Sequence, residues 1–176
     1  MEYFVYGRDR AGAFPLKVEL SEQHWTFMDR YAEELIARGP TLTHDDEDAE
    51  TTGSLHILDL PDAEAAERFA YDEPYYLAGV FDDVLVRGFR KRVGTTMWDF
   101  TGAVPGYTRY LLLATDGVDH EPPASPHVIL YGDLLDGTTL VGQAALVEAP
   151  TPEAAAELRP GAAVHVWRFG GRPTEN

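Results

Sequence analysis

The chain has 176 residues, of which 44% are hydrophobic and 25% charged, with no cysteine and a net charge of −16. That length supports one substantial domain or two small ones sharing a core. The acidity argues against nucleic acid, whose phosphates need a basic surface, and against anionic membrane surfaces. Without thiols there is no disulfide, zinc–thiolate site or cysteine nucleophile.

The opening MEYFVYGRDR lacks the basic and apolar segments of a signal peptide, and no apolar run nears a membrane span. A cytoplasmic protein is expected. YFVYGRD (residues 3–9) is a short β-rich run that leads into a polar loop through RAGAFP. A helix is predicted from Ser21, whose hydroxyl suits an N-cap. Trp25, Met28, Ala32, Leu35 and Ile36 recur at helical spacing along it, and Gly39-Pro40 is its expected end. His24 sits in the first turn beside that stripe. The positive end of the helix dipole disfavours an imidazolium there, which leaves a ring able to accept a proton.

The acidic, turn-rich THDDEDAETTGS comes next, then a strand over 54–60 and a helix over 61–71 with Asp62 as a plausible cap. DEPYYLAGVFDD reads as a loop or broken turn, because Pro74 drives Glu73 out of helical geometry. A strand over 84–91 closes the series. This series of three marked strands and two helices is read as the β-α-β-β-α-β order of the ferredoxin-like unit.

The second half repeats this pattern. RYLLLATDG (109–117) resembles the first strand, and Pro61, Ala65 and Ala66 align with Pro150, Ala154 and Ala155 at a constant offset of 89. Val84 and Phe89 match Val164 and Phe169 at an offset of 80. The segment before the second strand is shorter, and the prolines of VDHEPPASP forbid a long helix there. Two four-stranded sheets with helices on one face can cover one another and close a barrel. The predicted fold is therefore α+β, with two ferredoxin-like halves packed as an intramolecular dimeric α/β-barrel. The halves are placed at residues 1–92 and 107–172, the second being a degenerate copy.

Residues 1–92 resemble the YCII-related family. YFVYGRD looks like its first strand, His24 falls at its helical histidine, and ARGP matches its glycine-proline. TTGSLHILDL resembles its glycine-serine strand, and DEPYYLAGVFDDVLVRGF its Asp-Pro-Tyr…Ala-Gly ending, with Glu73 inserted between Asp72 and Pro74. The resemblance implies a ferredoxin-like fold, a barrel arrangement and a His–Asp pair in a pocket. It also implies transformations of small, often aromatic, molecules, including dehydrochlorination.

Asp72 carries a physical oddity of its own, since the negative end of a helix disfavours a carboxylate. An imidazole beside it offsets that cost, and a carboxylate on one ring nitrogen fixes the tautomer and raises the basicity of the other. His24 and Asp72 are thus the candidate acid–base pair. Arg8, Gly39, Pro40, Ser54 and Tyr75 are candidate substrate contacts. HDDEDAE lacks the spacing and glycine of a calcium loop, so neither metal nor cofactor is expected. His56 and His165 read as ordinary strand residues.

The expected function is a cofactor-independent enzyme acting on a small organic molecule by elimination, isomerisation or a related proton transfer. A non-catalytic ligand-binding or accessory protein is the alternative. A monomer or a homodimer fits either.

Overall fold

The structure, a computed structural model, describes residues 1–173. The first half runs β1 (Glu2–Asp9), α1 (Phe14–Glu19), α2 (Ser21–Asp29), β2 (Leu35–Leu42), β3 (Thr51–Asp59), α3 (Ala63–Tyr71), α4 (Pro74–Leu77) and β4 (Phe81–Val93). The second runs β5 (Thr108–Ala114), β6 (Val128–Asp136), β7 (Thr139–Ala149), α5 (Pro152–Glu157) and β8 (Ala163–Trp167). The eight strands close a barrel in the order β1-β3-β2-β8-β5-β7-β6-β4. Each half supplies four consecutive staves, and the halves join where β2 meets β8 and β4 meets β6. Closure leaves no unpaired sheet edge. This is the expected α+β architecture of two ferredoxin-like sheets. No helix among the described residues is long and apolar enough to cross a membrane.

Strand alternation sorts the core into layers. Phe4, Tyr6, Leu55, Ile57, Leu111, Leu146 and Trp167 fill the barrel interior. Tyr3, Val5 and Leu58 face outward, under Phe27, Met28 and Phe69 of the helices. Tyr110, Leu112 and Val147 do the same beneath α5. Asp62 caps α3, accepting from the Ala65 amide at 2.8 Å, and the α3 face carrying Ala65, Ala66 and Phe69 is buried.

The N-terminal helical region departs from the sequence expectation. RAGAFP opens a helix, α1, with Pro15 in its first turn, where proline's missing N–H costs nothing. Ser21 is the first residue of α2, not its cap, and its hydroxyl donates to the Lys17 carbonyl at 3.1 Å. The helix stops at Asp29. Leu35 and Ile36 belong to β2, one facing outward and the other into the barrel. Gly39-Pro40 therefore lies within a strand and terminates no helix. Pairing of β2 with β3 on one side and β8 on the other outweighs the local helical spacing.

Candidate active site

A cavity of about 290 Å³ lies on the outer face of the first half-barrel. Its floor is the outward row of β2 and β3, where Arg38 pairs in register with His56 and Pro40 with Ser54. One wall is α1 and α2, through Phe14, Lys17, Ser21, His24 and Trp25. The other is the chain just beyond β8, residues 168–172. That segment continues the strand pairing, for the Arg168 amide donates to the Pro40 carbonyl and the Gly170 amide to the Arg38 carbonyl, both at 3.2 Å. Gly39 makes the approach possible. Its φ is +150°, and a Cβ there would lie 1.8 Å from the Arg168 carbonyl oxygen.

His24 projects from the first turn of α2, where its amide donates to the Leu20 carbonyl at 3.0 Å, and its side chain is only 12% exposed. Its Nδ1 lies 2.5 Å from Glu73 Oε1. Glu73 Oε2 accepts from the amides of Tyr75 and Tyr76 at 3.0 and 3.2 Å, so one carboxylate both caps α4 and holds the imidazole. The Tyr75 ring stacks on His24 with centroids 4.2 Å apart and planes 8° from parallel. The ring is thus fixed from its edge and from its face. With Nδ1 engaged, Nε2 is the nitrogen left for the cavity that His24 lines. Burial pushes the Tyr75 hydroxyl up to about 12, which keeps it a hydrogen-bond donor across the neutral range.

A buried ion pair and a second histidine complete the site. Lys17 and Asp9 form a buried ion pair at 2.9 Å, with Thr51 Oγ1 also donating to Asp9 at 2.6 Å. Burial pushes the Lys17 ammonium down, and the Asp9 carboxylate partly restores it. His56 is 6% exposed, with its ring 5.6 Å from that of His24. Burial, and after it the charges of His24, Arg38 and Lys17, hold His56 well below the usual imidazole range.

His24, Gly39, Pro40, Ser54 and Tyr75 therefore meet around one cavity. Asp72 and Arg8 do not. Asp72 is the exposed C-cap residue of α3, and the carboxylate at His24 is that of Glu73. The reason is local. Pro74 occupies the first position of α4, which makes its predecessor the N-cap, and Glu73 turns its side chain toward the free amides and the imidazole together. Arg8 shares the inward side of β1 with Phe4 and Tyr6, whereas the cavity lies on the outward side. At the barrel rim it pairs with Asp83 and is largely exposed.

Residues 1–90 match the family described as the YCII-related domain. The chain belongs to the YCII-related family. It is 31% identical over 96 residues to Protein YciI of Escherichia coli, covering 52% of this chain and 98% of that protein. An uncharacterized protein of Haemophilus influenzae is 32% identical over the same shares. Among solved structures, a 5-chloro-2-hydroxyhydroquinone dehydrochlorinase from Burkholderia phenoliruptrix, TftG, in complex with 2,5-dihydroxybenzoquinone, aligns with a TM-score of 0.49 and 23% identity. It covers 52% of this chain and 96% of that one.

Beyond the YCII-related residues, the corresponding place in the second half is filled by its own side chains. Gln143 stands at Ser54's position, 89 residues on, and pairs with Asp133 as Ser54 pairs with Pro40. Arg159 follows α5 as Glu73 follows α3, with no side-chain exposure at all. Its guanidinium donates to Gln143 at 2.8 Å, Asp116 at 2.8 Å and the Val118 carbonyl at 3.1 Å. No helix stands between β5 and β6, and the loop that replaces α1 and α2 supplies those last two acceptors.

Glu73, Lys17, Asp9, His56, Arg38 and the 168–172 segment were not among the residues the sequence singles out for the site. Glu73 had a usable signal, an acidic side chain directly before a proline that starts a turn of helix. The others are recognisable only from strand register and closure of the barrel.

Proposed function

We propose that this protein is a small cofactor-independent enzyme that moves a proton on a small organic molecule, in an elimination or isomerisation. His24 is the acid–base group, acting through Nε2. Glu73 is its positioning residue, setting the tautomer and the ring plane, and Tyr75 seconds it by stacking. Ser54, Pro40 and Gly39 shape the substrate's bed. The observation that carries this reading is the single carboxylate shared between the His24 Nδ1 and two helix amides, with the other ring nitrogen left to the cavity that His24 lines. In the same reading the chain is an internal duplication in which the half at 107–172 has become a wall of one working pocket.

The test is a turnover screen of small phenolic, quinonoid and keto–enol compounds, run with the wild-type chain and with His24→Ala. Loss of turnover with ligand binding retained supports the enzyme. Binding that survives in both, with no turnover in the wild type across the screen, selects the ligand-binding alternative.

A further inference from the structure

We propose that the cavity selects an anionic substrate, a small ring acid whose carboxylate is held by Arg38. The inference rests on the reading of this cavity as the substrate pocket. Four basic side chains line it: Lys17, Arg38, Arg168 and Arg172. Three are neutralised by the protein. Lys17 is paired with Asp9 at 2.9 Å, Arg168 with Asp45 at 3.1 Å, and Arg172 with Glu22 at 2.6 Å and Asp29 at 2.9 Å. Arg38 has no carboxylate within ion-pair distance among the described residues. Its Nε donates to the Gly170 carbonyl at 3.0 Å and its guanidinium lies 5.6 Å from the Trp98 ring centroid, which anchors the group; its two terminal nitrogens have no hydrogen-bond acceptor among the described residues.

That vacancy stands out in this chain, which carries 30 acidic side chains for 14 basic ones. With carboxylates in such surplus, an arginine in a cavity with none beside it among the described residues points to a partner from outside. A guanidinium fork matches a carboxylate in two parallel hydrogen bonds, a geometry no single backbone carbonyl satisfies. The rest of the lining fits a flat ring, for Phe14, Trp25, Tyr75 and Phe169 surround the same space. A volume of about 290 Å³ is enough for one substituted ring. Arg38 and His56 are direct cross-strand partners, and His56 lies beside His24, so an acid held at Arg38 places its ring against the imidazole.

The experiment compares a ring acid with its neutral amide, salicylate with salicylamide, by calorimetric titration. The proteins are the wild type, Arg38→Gln and Arg38→Lys. In the wild type the acid binds at least tenfold more tightly than the amide. Arg38→Gln keeps a donor for the Gly170 carbonyl but removes the charge; it brings the acid's affinity down roughly 10–100-fold, as loss of a charged hydrogen-bonded pair does, and leaves the amide's unchanged. Arg38→Lys restores part of the difference. Equal affinity for acid and amide in the wild type, including no measurable binding of either, overturns the proposal, and so does a preference that survives Arg38→Gln. The two readings fail separately. Acid binding through Arg38 without any turnover removes only the enzyme. His24-dependent turnover of neutral compounds, indifferent to Arg38, removes only the anion site.

Discussion

Glu73 meets His24 with one carboxylate oxygen, at 2.5 Å, and the start of α4 with the other. Helix capping and orientation of the candidate base thereby fall to one side chain. Replacing Glu73 with Gln keeps an acceptor for the amides but weakens the hold on the imidazole. Turnover of whichever compound the screen identifies is expected to fall about 10–100-fold, with the melting temperature changed little. Glu73→Ala loses the cap as well, and a urea melt registers at least about 1 kcal/mol of destabilisation. Asp72→Asn changes neither activity nor stability measurably.

Acid weakens the fold through His56. Its folded form binds a proton less readily than the unfolded chain does, because the imidazolium would be buried beside other cations. The contribution is intact above the ordinary imidazole value of 6.5 and is lost as pH falls below it. One proton taken up on unfolding gives a slope of about 1.4 kcal/mol per pH unit. Urea midpoints recorded from about pH 7.5 down to about pH 5 are expected to drop, and His56→Gln flattens that decline. An unchanged slope in His56→Gln excludes this histidine as its source.

The buried Lys17–Asp9 pair is structural. Lys17→Met leaves the Asp9 carboxylate with Thr51 alone and costs about 3–5 kcal/mol in chemical denaturation, as removal of one member of a buried pair does. Removing both charges, in Lys17→Met with Asp9→Leu, recovers most of it. A double variant as unstable as the single one refutes the ion-pair account.

Gly39→Ala tests how the two halves close on the cavity. The new methyl group meets the Arg168 carbonyl and the φ of +150° suits only glycine. We expect about 2–4 kcal/mol of destabilisation and faster amide exchange at Gly170, whose bond to the Arg38 carbonyl is lost.

Arg159 separates the halves in the opposite way. Its guanidinium is wholly buried among Gln143, Asp116 and backbone carbonyls, so Arg159→Met strands those acceptors and costs about 2–4 kcal/mol. Ligand affinity at the first-half cavity, measured by calorimetric titration on the folded fraction, stays at the wild-type value.

How far the sequence reaches can be judged residue by residue. It marked β1, β3, β4 and the capped helix after Asp62, and it pointed to His24 and to a repeat at an offset of 89. These follow from apolar period, caps and prolines, which act over a few residues. It misplaced the end of the second helix, because Leu35 and Ile36 suit a helical stripe as well as a strand, and only pairing with β3 and β8 decides between them. It chose Asp72 over Glu73 because adjacent positions differ little in sequence, whereas the proline-started turn of α4 aims one carboxylate inward and leaves its neighbour in water. Arg8 and Arg38 were separated by tertiary structure alone: a strand residue's face depends on register, and the partners left to each arginine depend on where the barrel closes, through contacts spanning more than a hundred residues that no local pattern encodes.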